Sequence, residues 1–309
     1  MRGNAPTQKL IAAIAGRLVI AVPYLWLFVF FLVPFFIVLK ISLSEVAMAI
    51  PAYRPAFDLT QGLAANFEKL RQLSLDNYLW LVDDALYFKA YLSSFFIAAV
   101  STVLTLIVGY PLAYGMARAP STLRPTLLML VILPFWTSFL IRVYAWIGIL
   151  KPEGLLNQFL MWAHIIDTPL TILNTNTAVY IGIVYSYLPF MVLPIYAALE
   201  KMDYSLIEAA QDLGCPSLTA FWKVTFPLSM SGVIAGCFLV FIPAMGEFVI
   251  PDLLGGSQTL MIGKTLWSEF FSNRDWPVSS AVAVVLLVIL IVPIVLFQRA
   301  QARAQESGR

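Results

Sequence analysis

Residues 180–214 read YIGIVYSYLPFMVLPIYAALEKMDYSLIEAAQDLG. The stretch begins inside an apolar, aromatic-rich run and then turns polar and helix-ready, closing on Gly214. An apolar run that empties into a short charged helix is what a membrane segment meeting a water-facing loop looks like. Composition points the same way. Of 309 residues, 61% are hydrophobic and only 12% are charged, with a mean hydropathy of +0.85. A soluble domain carries about 25% charged residues, so a chain this poor in charge cannot cover a water-facing surface. The net charge of +2 is too small to suggest nucleic acid as a partner. The two cysteines, Cys215 and Cys237, and the one histidine, His164, cannot build a zinc site at ordinary ligand spacing. One cysteine falls in a loop and the other in an apolar run, so no disulfide is expected.

Crossing a bilayer takes about 20 apolar residues. Six runs qualify: roughly 18–41, 89–117, 126–150, 174–199, 228–250 and 277–297. Helices are the expected form, because lipid cannot satisfy bare backbone groups and the runs are too long and uniform for barrel strands. The first run has a basic lead (Arg2, Lys9, Arg17), and Ala47-Met48-Ala49 has the form of a signal cleavage site. A signal core is about 7–15 residues, shorter than this run. An uncleaved anchor is therefore expected, with a cleaved signal as the alternative.

Lysines and arginines of the short loops set orientation. With the N-terminus inside, the inner segments hold Arg2, Lys9, Arg17, Arg118, Arg124, Lys201, Lys223, Arg299, Arg303 and Arg309. Acids such as Asp58, Asp83, Asp84, Glu153 and Asp252 collect outside. Six spans with both termini cytoplasmic is the expected topology. The outer loop 43–88 is too short and too open in pattern for an enzyme domain, and a small amphipathic lid is expected there. Trp162, Trp267 and Trp276 in the other outer loops suit interfacial anchoring.

The inner segment 200–227 reads EKMDYSLIEAAQDLGCPSLTAFWKVTFP. Ser205 and Glu208 stand in the relation of a capping box, which predicts a helix start at Ser205. Leu206, Ile207, Ala210 and Leu213 recur at helical spacing as one apolar stripe. Gly214 suits a helix end that needs a left-handed backbone, and Pro216 suits the first position of a second helix. Phe221, Trp222 and Val224 form a second apolar patch. An apolar stripe facing cytoplasm needs a partner, so a docking surface for a soluble protein is expected.

These residues carry a resemblance. Glu208-Ala209-Ala210, three residues, Gly214, nine residues, then Val224-Thr225-Phe226-Pro227 resembles the EAA motif of bacterial ABC importer permeases, whose last block is I-x-L-P. Val224 and Phe226 replace the usual Ile and Leu. The stretches LVILPFWTSFLIRVYAWIGIL, VFIPAMGEFVIPDLLGG and the one quoted first are similar to permeases of putrescine and spermidine uptake, the PotH/PotB type. The resemblance implies an all-α polytopic protein, six transmembrane helices around a type I ABC importer core. Residues 1–88 would be the N-terminal tail, first span and outer loop, 89–297 the five-helix core with its coupling loop at 200–227, and 298–309 a cytoplasmic tail. It implies two copies of an ABC ATPase, a second and non-identical permease, a periplasmic polyamine-binding protein, and residence in the bacterial inner membrane. Ser205, Glu208, Ala209, Ala210 and Gly214 would form the ATPase-coupling helix.

No catalytic constellation is visible, and no cofactor is expected on this chain. MIGKT at 261–265 imitates a phosphate loop, but Gln258 stands where that pattern needs glycine. ATP would be used by the partner ATPase. For the substrate path, Glu247 is expected late in span five, as an acceptor of cationic amine near the outer mouth or, alternatively, as a structural or gate carboxylate. Trp136, Tyr144 and Tyr185 are further path candidates, because ring faces attract ammonium by about 0.5–2 kcal/mol each; packing or an interfacial belt is the alternative for each ring. Arg142 would repel a polyamine, and is expected to pair with an acid or snorkel to the interface. A permease for another small solute and, in a different class, an ion channel are the competing functions; the docking loop speaks against a channel.

Overall fold

The computed structural model describes residues 19–57, 60 and 62–307. The expected basic lead, Arg2, Lys9 and Arg17, lies outside the described residues, as do Asp58 and Arg309. The chain divides into two compact units, Met1–Asp84 with Ser268–Arg309, and Ala85–Trp267.

In the first unit, the Val19–Ser42 helix is long and apolar enough to cross a membrane. Its ladder widens over Phe28–Leu32, where the Val33 N–H reaches back to the Phe28 carbonyl. Pro34 follows at once and has no N–H to give, so the register shifts around it. Next comes an antiparallel pair of two-residue strands, Glu45–Val46 and Tyr53–Arg54, with Glu45 opposite Arg54. The sequence reading had no strand here. Lys40 holds the hairpin from the end of the first helix: its ammonium donates to the Pro55 carbonyl and lies 4.2 Å from the Tyr53 ring centre and 4.7 Å from that of Phe57. The rest of the expected lid is two short helices, Gly62–Leu70 and Asp76–Asp83. Asn77 ties the second back by donating to the carbonyls of Ser42 and Ser44 at 2.9 and 2.8 Å. The Trp276–Ser307 helix packs against the first helix, and its apolar part is Trp276–Val292.

In the second unit, Ala85–Arg118 and Asn176–Glu200 are full-length candidate spans. Together with Met230–Met245 they pack mutually, around Tyr110, Ala113, Met191, Val192, Ile195 and Val240. Lipid is as apolar as these side chains, so close packing rather than the hydrophobic effect holds such helices together. Two glycines allow the approach. A Cβ on Gly232 would stand 2.6 Å from the Pro194 carbonyl oxygen, and one on Gly236 2.8 Å from the Met191 sulfur.

Two expected spans are not straight. The third breaks into Arg124–Trp136 and Phe139–Trp162, bent by 89°. Pro134 withdraws a donor, the turn tightens to a 3₁₀ form over Leu133–Trp136, and Thr137 and Ser138 are extended. The fifth, expected from 228, instead enters as Ser217–Leu228 and turns 66° into Met230–Met245. It stops at Gly246, so 246–250 do not continue the span as expected. Among the described residues three helices can cross a membrane, or up to five if each bent pair counts as one span.

Candidate coupling loop and translocation residues

The structured loop begins where four side-chain contacts fix the end of Asn176–Glu200 and the turn that follows it. Tyr196 donates to Glu200 at 2.7 Å, and Arg124 lies 3.8 Å from the same carboxylate. Arg118 sits 4.6 Å from the Tyr204 ring centre, and the Tyr204 hydroxyl donates to the Ala117 carbonyl at 3.2 Å. The helix Ser205–Asp212 then starts where expected, but not by the expected capping box. Tyr204 occupies the cap position without a side-chain bond. Asp203 instead accepts from the Ser205 N–H at 3.0 Å, a bond that holds its carboxyl below the usual range. Ser205 is thus one residue too far along to act as the cap.

The helix closes as expected on Gly214, whose φ is +82°. Its N–H donates to the Gln211 carbonyl at 2.8 Å, and the Cys215 N–H to that of Ala210 at 3.0 Å. This pair of bonds is the Schellman closure. Pro216 caps the next helix rather than opening it, with φ −60° and ψ 147° before Ser217.

The apolar stripe divides. Ile207 is buried and Ala210 half-buried, facing the protein. Leu206 is 47% exposed and Leu213 89%, joined by Leu218 at 72% and Trp222 at 57%. Phe221, expected in the outward patch, turns inward onto Tyr110 and Tyr114, with ring centres 5.5 and 5.9 Å apart. Glu208, Ala209 and Gly214 are exposed. The unit thus presents a firmly anchored, partly apolar outer surface.

Glu247 is not within span five. It follows the end of Met230–Met245 and caps the short helix Val249–Leu253. One carboxylate oxygen accepts from the N–H groups of Phe248 and Val249 at 3.0 Å each and of Ile250 at 3.5 Å. The other accepts from the Tyr187 hydroxyl at 2.5 Å. The residue is only 7% exposed. Backbone packs tightly behind it: a Cβ on Gly263 would meet the Gly246 and Glu247 carbonyl oxygens at 2.4 and 2.6 Å. Phe248 stacks on Trp267 with ring centres 4.3 Å apart. This capping role was missed because an apolar window passes straight through 243–251; Gly246 and Pro251 flanking a lone carboxylate were the available signal.

The other path candidates are not gathered into one constellation with it. Trp136 and Tyr144 are exposed. Tyr185 leans edge-on against Trp146 at 5.3 Å, and helps line an apolar pocket of about 280 Å³ with Met116, Pro134 and Pro189. A different run of rings emerges instead. Tyr187, bonded to Glu247, lies 6.1 Å from Phe190, which lies 5.2 Å from Phe135. Arg142 sits over Phe135 and Phe139 at 5.3 and 5.7 Å. Its expected acid partner is not found among the described residues, and its Nε is buried with no hydrogen-bond partner.

Long apolar helices, two sharply bent helical pairs and a glycine-closed loop unit define a largely helical class of protein with several candidate membrane spans. The same fold occurs in the crystal structure of a bacterial ABC transporter involved in the import of the acidic polysaccharide alginate, with a TM-score of 0.68 and 15% identity over 96% of this chain and 98% of that one. A family model for the binding-protein-dependent transport system inner membrane component matches residues 108–306, and the chain belongs to that family. The spermidine/putrescine transport system permease protein PotB of Escherichia coli (strain K12) is 45% identical over 76% of this chain and 85% of its own length. PotB of Haemophilus influenzae is 40% identical over 92% of this chain and 93% of its own. The molybdenum transport system permease protein ModB of Mycobacterium bovis is 32% identical over 64% of this chain.

Proposed function

We propose that this chain is the permease subunit of an ATP-driven importer that moves polyamines, putrescine or spermidine or both, from periplasm to cytoplasm. The observation that carries the reading is the likeness to PotB, 40% identical over 92% of the chain. A molybdenum permease matches less of the chain at lower identity, so another small solute is the second reading.

In this reading the helix Ser205–Asp212, with Glu208, Ala209, Ala210 and the Gly214 turn, is the coupling element, and Ser205 marks its start. The exposed set Leu206, Leu213, Leu218 and Trp222 supports a docking face for an ATPase, present in two copies, that supplies the ATP chemistry. A second, non-identical permease and a periplasmic polyamine-binding protein complete the assembly. Both termini are cytoplasmic. Residues 89–297 form the transport core, with 1–88 in front and 298–309 as a tail. Trp136, Tyr144 and Tyr185 contribute ring faces to the path. Glu247 shapes the path's wall by holding the break after Met245, because its carboxylate is already engaged.

Uptake of labelled putrescine, spermidine and molybdate in cells lacking the chain and in cells given it back tests the reading. Restored amine uptake with unchanged molybdate uptake supports it, and the reverse pattern would sink it.

A further inference from the structure

We infer that the Asp76–Asp83 helix lies along the membrane interface, with Leu75, Leu79 and Val82 set among the lipid chains of the leaflet in which the first span ends. The inference needs only the membrane family, not the polyamine reading. Depth is fixed from both ends of the helix. Lys40 is the first charged residue of the Val19–Ser42 span, so the chain leaves the hydrocarbon there. At 24 residues that span runs about 36 Å, against about 30 Å of hydrocarbon. Its end is tied to the short helix and its lead-in by several bonds. Asn77 donates to the Ser42 and Ser44 carbonyls, the Tyr78 and Ser42 hydroxyls are 2.7 Å apart, and the Ser74 N–H donates to the Leu43 carbonyl at 2.9 Å. The helix is thereby held at the level where the first span exits. At its other end only Asp84 separates it from Ala85, where the next candidate span begins.

Its side chains sort into three faces. Asn77 and Leu81 turn toward the protein, Asn77 through its two bonds and Leu81 by burial. Leu75, Leu79 and Val82 recur at four- and three-residue spacing on another face, and are 63%, 63% and 80% exposed. Asp76 and Asp83 come one residue after Leu75 and Val82, so their face lies about 100° further round the helix; both are exposed. A helix held at the interface with an aliphatic stripe on one side and carboxylates on the next has one favourable setting, the stripe in lipid and the acids in water. The stripe is aliphatic throughout, whereas protein docking faces centre on Trp, Tyr and Arg.

The test places the whole complex, purified through a tag on this chain, in lipid nanodiscs that are open to water on both faces. Leu79→Cys, Val82→Cys, Asp76→Cys and Asp83→Cys are made singly and labelled with bimane. The parent chain, labelled alike, supplies the background from Cys215 and Cys237. All four positions are exposed, so no label has to displace the core. At 79 and 82 the fluorescence should be lost to nitroxide carried on lipid chains and kept in iodide; at 76 and 83 the reverse is expected. Loss to iodide at 79 and 82 overturns the proposal, because the stripe then lies in water. Labels at 79 and 82 that neither quencher reaches overturn it equally, because a protein surface then covers the stripe.

Discussion

Four donors converge on the Glu247 carboxylate, three backbone N–H groups and one tyrosine hydroxyl. A carboxylate so occupied cannot also desolvate a passing amine without giving up its cap. This fixes a rank order for substitutions. Glu247→Gln keeps an acceptor at the right reach and should be mild. Glu247→Asp is one methylene short, cannot serve the cap and Tyr187 together, and should be worse. Glu247→Ala should be worst, at about 1–2 kcal/mol for a lost cap, with uptake falling alongside. Thermal unfolding in detergent and uptake on the same variants check the order. A direct, charge-dependent role in passing the amine demands the opposite: loss of uptake in Glu247→Gln and a milder Glu247→Asp. Sequence singled the carboxylate out, since a lone acid in an apolar run is costly. It could not show that the helix had already ended, because hydropathy reports composition and not the direction of the backbone.

The helix–glycine–helix unit makes the sharpest case for an element whose form is legible in sequence. Gly214 was expected to be left-handed and is, with φ +82° and nothing within 4 Å of a would-be Cβ. The penalty of Gly214→Val is therefore one of backbone alone, about 1–2 kcal/mol, enough to open the Schellman closure without disturbing the membrane helices. The variant should insert and lose both the ATPase and uptake, while Gly214→Asn, which tolerates the left-handed region, should retain most of both. Normal ATPase retention in Gly214→Val would separate the turn from coupling. The start of the same helix was less legible, since Asp203, two residues ahead of Ser205, took the bond that the capping box would have made. The bend at Thr137–Ser138 was not legible at all, because its apolar flanks read as one span. At the other end of the chain Asp275 starts the Trp276–Ser307 helix by accepting from the Val278 N–H at 3.0 Å, yet burial pushes its carboxyl up. A folded-state pKa above the unfolded one favours the fold below the unfolded value, and that contribution is lost as pH rises through the folded pKa. Asp275→Asn keeps the cap without the charge, so its melting temperature should fall less than the wild type's as pH is raised through that window. Parallel pH profiles for the two would contradict this account of Asp275.

At the scale of the whole molecule, the apolar composition and the charge asymmetry of the loops indicated a membrane protein and an orientation, and the family assignment agrees with the first. The orientation is checked by Cys215, half-buried beside the Gly214 turn. An impermeant thiol reagent should reach it in inverted vesicles and miss it in intact cells. Labelling from outside would reverse the topology and move the proposed coupling face to the wrong side of the membrane. The proposed partners, a second permease, a binding protein and an ATPase, meet in a single observable, the rate of ATP hydrolysis by the complex purified through this chain and placed in proteoliposomes. The account predicts that hydrolysis rises when a polyamine-loaded binding protein is added, stays low with the unloaded protein, and becomes unresponsive in Gly214→Val. A complex that carries no ATPase, or one whose hydrolysis ignores polyamine while the chain is correctly folded, would contradict it.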